Sequence, residues 1–68
     1  MATWTHKTVK MQRGGDGKWF SHRAATTGTK EHCEAYARRF ATEQQGVAGT
    51  KIVVLARRGG ACTLSIPC

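Results

Sequence analysis

Two segments near the start of the chain mix polar residues with β-branched and aromatic ones. Residues 3–12 combine tryptophan, threonine and valine with two lysines, and residues 18–26 contain Trp19 and Phe20 near their start. Both compositions are typical of β-strands. Residues 13–17, between the two segments, contain three glycines and an aspartate, which supply the positive φ angles that a short connection needs. The pattern therefore predicts a β-hairpin at the start of the chain.

The next segment has the periodicity of a helix. Thr29 is the predicted N-cap, and Glu31 lies in the first turn, where a carboxylate faces the positive end of the helix dipole. Gly46, followed by the apolar Val47, fits a Schellman ending. Apolar side chains recur at spacings of three and four and form one stripe, at Cys33, Tyr36, Ala37, Phe40 and Ala41.

The last third of the chain contains two more predicted strands. Residues 51–57 include the run Ile52 to Leu55, which is too short for a second helix and indicates a buried central strand. A turn at residues 58–60 follows, and then Cys62, Leu64 and Ile66 alternate with polar residues up to Pro67, as in a half-buried strand. The predicted order is β-β-α-β-β. The expected fold is therefore a single small basic α+β domain over residues 1–68, with one helix packed on one face of a mainly antiparallel sheet.

One helix can cover only one face of a sheet. Trp19 and Phe20 are neighbours on a strand and must point to opposite faces, and the same alternation separates Trp4 from Val9 on the partner strand. We therefore expect at least one large aromatic side chain outside the core that the helix covers.

The charge of the chain is unevenly distributed. Eleven Lys and Arg residues and four acidic residues give a formal net charge of +7. Basic and acidic residues balance between residues 29 and 46, so the whole excess lies in the strands and their loops. A basic surface of this kind favours an acidic partner.

The cysteines and the N-terminal residues predict a reducing, cytoplasmic location. Cys33, Cys62 and Cys68 make an odd number, and the first residues lack the apolar stretch of a secretory signal or a membrane span. Cys33 lies on the apolar stripe of the helix and Cys62 on the apolar side of the last strand, so both are expected to be small buried hydrophobic residues.

Several short motifs occur together along the chain. They are Asp16-Gly17-Lys18-Trp19, Thr29, Ala37-Arg38, Ala41, Gln45-Gly46, Ile52-Val53-Val54 and Arg58-Gly59-Gly60. In these motifs the chain resembles a small family of bacterial and phage domains, built as hairpin, helix and hairpin, whose function is uncharacterised. The resemblance spans most of the chain and implies the fold. The family has no established activity, and this chain departs from its pattern in a longer loop at residues 47–50 and in a basic second hairpin.

The chain has no motif of a known catalytic or metal site. His6, His22 and His32 are not spaced as metal ligands, and no Cys-x-x-Cys or His-x-x-x-His pair is present. Three of the four carboxylates fall on the predicted helix. We therefore expect neither enzymatic activity nor a metal or other cofactor.

The leading hypothesis is a nucleic-acid-binding accessory module. Arginine beside glycine in the two hairpin loops suits contact with phosphates, and a tryptophan on an open sheet face suits stacking on bases. Turn formation by the glycines and core packing by each tryptophan are the alternatives at these positions. The residues predicted to bind DNA or RNA, or a protein partner, are Trp4, Lys10, Arg13, Trp19, Arg23, Arg57 and Arg58.

The alternative function is a protein-interaction module, such as an inhibitor encoded by a phage or a mobile element that binds an acidic protein surface. The small size and the absence of active-site motifs suit this function too. A homodimer that buries the open face is compatible with either hypothesis.

Overall fold

The computed structural model describes residues 4–68 as one sheet with one helix. The sheet is antiparallel throughout, with the order β2-β1-β3-β4. The predicted α+β class and the order β-β-α-β-β are confirmed. The elements are β1 (His6–Arg13), β2 (Trp19–Gly28), α1 (Lys30–Glu43), β3 (Thr50–Ala56) and β4 (Cys62–Pro67).

The predicted first hairpin forms, although only one of the three glycines in its loop has a positive φ angle. In its loop the Gly14 backbone N–H donates to the Lys18 carbonyl at 2.8 Å, and the Lys18 N–H donates to Asp16 Oδ1 at 3.1 Å. Gly17 has a φ of +84°, in the region that favours glycine. The strand β1 begins at His6 rather than at residue 3, which itself lies outside the described residues.

Strand β2 contains more residues than the length of β1 that it pairs with. Thr8 pairs with Thr26, but Val9 pairs with Ala24 and Met11 with Ser21, so each of the two register shifts adds one residue to β2. Such bulges increase the local twist and change which side chains face each side of the sheet. Simple alternation along β2 therefore does not predict the face of a residue beyond a bulge.

The helix α1 begins as predicted and ends differently. The Thr29 side chain caps its start by accepting a hydrogen bond from the His32 N–H at 3.1 Å. At its end the Val47 N–H donates to the Gln44 carbonyl at 3.1 Å, so the predicted Schellman ending is wrong. Gly46 still adopts a φ of +88°, but it lies in a turn that follows a helix already ended at Glu43.

We expect Thr29→Ala to destabilise the domain by about 1 kcal/mol, the usual cost of losing an N-cap. For a domain of this size, that change lowers Tm by about 4–8 °C. Thr29→Ser retains the capping oxygen and should keep Tm close to that of the unmodified protein. Thermal unfolding followed by circular dichroism tests the expectation, and equal losses in both variants would show that the cap does not stabilise α1.

The core lies between α1 and the central strands. Small residues on the helix, among them Cys33 and Ala37, allow it to approach the sheet closely and pack against Ile52 and Val54. The buried Thr8 hydroxyl donates to the Cys33 carbonyl at 2.8 Å and fixes the helix to β1. The predicted burial of Cys33 is confirmed. Partly buried side chains complete this core, from Phe40, Leu64, Ile66 and Cys68.

The predicted burial of Cys62 is wrong. A register shift in β4 pairs Leu64 with Val54 but Cys62 with Leu55, so one residue of β4 is left over between the two pairs. Cys62 therefore points away from the helix-covered face, and its side chain is exposed. All three cysteines are free thiols.

Candidate nucleic-acid interface

Strand register shows which residues lie on the sheet face turned away from α1, here called the open face. Ile52 and Val54 pack against the helix, so Lys51, Val53 and Leu55 point to the other side. Directly paired residues of antiparallel strands share a face. The pairing therefore assigns to the open face Lys7, Val9, Met11 and Arg13 of β1, Trp19 and Ser21 of β2, and Ser65 of β4.

Trp19, Arg13 and Lys51 form one group on the open face, called here the Trp19 cluster. Trp19 pairs directly with Arg13 across the first hairpin. The Lys51 Nζ lies 4.4 Å from the centroid of the Trp19 ring, and the Arg13 Cζ lies 5.9 Å from it. Both distances are within the range of cation–π interactions. Trp19 remains 39% exposed, so the indole has free surface beside two positive charges.

The middle of the open face is apolar and well covered. Val9 and Val53 pair with each other at its centre, and each is only 2% exposed. The longer side chains beside them on the same face, among them Met11, Lys7 and Leu55, are part-buried. Lysine stems can cover apolar surface while their ammonium groups stay in water. The centre of the open face is therefore apolar, and the charged ends of its lysine side chains extend into solvent.

Charge separates the two sides of the molecule. Lys7, Arg13 and Lys51 lie on the open face. Of the four acidic residues, Asp16 lies in the β1–β2 loop and the other three lie on α1, on the far side of the sheet. The charged side chains assigned to the open face are therefore all cationic, in agreement with the charge distribution of the sequence.

A second tryptophan and arginine meet at the opposite end of the sheet. The Arg57 Cζ lies 4.8 Å from the centroid of the Trp4 ring. Trp4, Thr5, Arg57 and Arg58 line a concavity of about 370 Å³, called here the Trp4 hollow. The Arg57 N–H donates to the Thr5 carbonyl at 2.8 Å, so these two residues extend the β1–β3 pairing beyond the strand ends.

No family model matches the chain, and neither the curated proteins nor the solved structures include a significant match. The resemblance to hairpin-helix-hairpin domains therefore stays a prediction.

The structure brings together only part of the predicted site. Arg13 and Trp19 meet at one end of the sheet, whereas Trp4, Arg57 and Arg58 meet at the other. The two arginine-glycine loops lie at opposite ends because β1 and β3 are antiparallel neighbours. The two loops therefore cannot contact the same phosphate.

Two predicted residues lie apart from both groups. Lys10 pairs with Ile52 and so belongs to the helix side of the sheet. Arg23 is exposed in the irregular part of β2, between the paired residues Ser21 and Ala24. Lys51 is not among the predicted site residues, although its position two residues before Val53 indicates that both share a face.

The described residues contain neither a cluster of metal ligands nor a membrane-spanning helix. Within residues 4–68, no three His, Cys, Asp or Glu side chains are grouped in a way that could hold a metal ion. The one helix of this part of the chain is too short and too polar to cross a bilayer.

Proposed function

We propose that the domain binds nucleic acid through the open face. The observation that carries this proposal is the Trp19 cluster: an exposed indole between Lys51 and Arg13, on a face without carboxylates. Aromatic rings on a sheet offer stacking surface to unpaired bases, and adjacent cations contact the phosphates that follow those bases along the chain.

Arg13 and Lys51 can exchange their contact with the Trp19 ring for contacts with phosphates when a nucleic acid binds. In the free domain both lie over the Trp19 ring, where a cation–π interaction at an exposed site contributes only about 0.5–1 kcal/mol. A phosphate offers Arg13 a bidentate, charge-assisted hydrogen bond, which is stronger. A nucleic acid can therefore draw both cations to its backbone and leave the indole to a base.

We expect Trp19→Ala to weaken binding of a labelled single-stranded oligonucleotide by about 5- to 150-fold, since stacking on one base contributes about 1–3 kcal/mol. Phe20→Ala is the matched control, because Phe20 is 50% exposed and pairs with Gln12, on the other side of the sheet. Fluorescence anisotropy at low salt measures both affinities. Equal losses in the two variants, or no binding by the unmodified domain, would contradict the proposal.

The open face also supports an acidic protein as the second candidate partner. Tryptophan and arginine dominate binding energy at protein interfaces, and Trp19 and Arg13 adjoin each other here. Capture of partners from a nuclease-treated lysate separates the two functions. A protein retained after nuclease treatment and lost with Trp19→Ala favours this second candidate, whereas material released by nuclease favours nucleic acid.

A further inference from the structure

We propose that the ligand is a single strand that lies lengthwise along the sheet, with one base on the Trp19 cluster and another in the Trp4 hollow. This inference rests on the proposed function. It adds the class of nucleic acid, the orientation of the strand along the sheet and the minimum length of the strand.

The two tryptophan groups are far enough apart to act as separate contacts on one strand. Trp19 pairs with Arg13, and Trp4 adjoins Thr5, which lies eight residues before Arg13 along the line of β1. Eight residue steps at about 3.4 Å each place the two backbones about 27 Å apart. Bases stacked at about 3.4 Å would need about eight nucleotides to cover that distance. The domain is 39 Å long, so the contacts fit within its length.

The Trp4 hollow has the shape and chemistry for a second base. Its volume of about 370 Å³ lies within the usual range of small-molecule sites, about 300–1,000 Å³. The Trp4 ring offers a stacking surface, and the guanidinium of Arg57 at 4.8 Å offers a phosphate contact beside it. Arg58, which also lines the hollow and is exposed, adds a second guanidinium.

A continuous path joins the two contacts. Thr5 and Arg57 each stand two positions beyond an open-face residue, Lys7 and Leu55 respectively, and Lys7 pairs with Leu55. Alternation therefore places Thr5 and Arg57 on the open face. Trp4 precedes β1, and the Arg57 guanidinium reaches its ring from this face, at 4.8 Å from the ring centroid. Lys7 lies on this path between the two groups and supplies a cation for an intermediate phosphate.

The same geometry favours a single strand over a duplex. Both indoles need unstacked bases, which a duplex does not present. Direct reading of a duplex needs an element that enters a groove, such as a helix or a two-stranded ribbon. The helix of the described chain lies behind the sheet, on the side away from Lys51 and Arg57, the cations beside the two tryptophans. The two hairpins are joined in one four-stranded sheet and do not form a separate two-stranded ribbon.

Two proteins with one tryptophan each test the inference. Trp4→Phe leaves Trp19 as the sole fluorescent indole, and Trp19→Phe leaves Trp4. We expect a twelve-nucleotide oligothymidylate to quench each protein at one strand per domain, and to bind the unmodified domain at least about tenfold tighter than a three-nucleotide one, which can reach only one end. A duplex of twelve base pairs should bind more weakly than the twelve-nucleotide single strand.

A charge variant measures how the two ends act together. Arg57→Gln with Arg58→Gln should lower the ratio of twelve-nucleotide to three-nucleotide affinity about fivefold, because two phosphate contacts are lost from the longer strand. The matched control is Lys30→Gln with Arg39→Gln on α1, which removes the same charge and should keep that ratio.

The outcomes separate this inference from the function on which it rests. Quenching of Trp19 alone by the longer strand, or tighter binding of the duplex, overturns the lengthwise single strand and leaves nucleic-acid binding in place. Absence of binding to either strand and to the duplex at low salt overturns both.

Discussion

Replacing Lys7, Arg13 and Lys51 together by glutamine is expected to remove most nucleic-acid binding. These are the cations that strand register assigns to the open face. Each phosphate contact with a single strand contributes about 0.7 to the slope of log affinity against log salt, so the variant should lose about 2 units of slope. Affinity at about 50 mM salt should fall at least about tenfold. Titrations at several salt concentrations measure both quantities.

A control with the same net charge decides whether position or total charge matters. Lys30, Arg38 and Arg39 are exposed on α1, behind the sheet. Replacing these three by glutamine lowers the net charge equally but should change the salt slope by less than about half a unit, because they face away from the proposed path of the strand. Equal losses in the two triple variants would show that binding depends on total charge and not on the open face.

Ile52→Ala is expected to destabilise the domain more than any other change considered for it. Ile52 is fully buried between α1 and the sheet, and truncation of such a residue costs about 2–5 kcal/mol. The total stability expected for a chain of this length is only about 3–10 kcal/mol. Tm should therefore fall by more than about 10 °C, as measured by circular dichroism.

Ile52→Val is the matched variant, because it removes one methyl group and costs about 0.5–1.5 kcal/mol. The order of Tm should be the unmodified protein, then Ile52→Val, then Ile52→Ala. A loss of less than about 3 °C for Ile52→Ala would mean that α1 does not pack on the sheet as described, since each kcal/mol lowers Tm by about 4–8 °C.

The order of elements could be predicted because its signals are local. Thr29 marks the start of the helix, the glycines at residues 14, 15 and 17 mark the first turn, and the run from Ile52 to Leu55 indicates the central strand. Local signals also explain the errors. The sequence has no mark for the extra residues in β2 and β4, since bulges arise from the fit between paired strands.

The candidate site could be predicted only in part because it depends on strand order. Adjacency of Trp19 and Phe20 in the sequence was enough to predict an aromatic outside the core, and both are exposed. The contact of Lys51 with Trp19 joins β3 to β2 across β1, and the separation of the arginine-glycine loops follows from the antiparallel β1–β3 pair. Neither arrangement can be predicted from a single segment of the sequence, because each depends on which strands are neighbours in the sheet.

The interruptions in strand pairing are confined to the edges of the sheet. The central pair, β1 with β3, runs from His6 to Gln12 without a shift, whereas the outer strands β2 and β4 each contain irregular pairing. A regular outer strand would be a template for a strand of another molecule. The irregular strands make a poor template, and Pro67 withholds one further N–H from β4. Edge-to-edge strand pairing between separate molecules, which would lead to fibres, is therefore disfavoured.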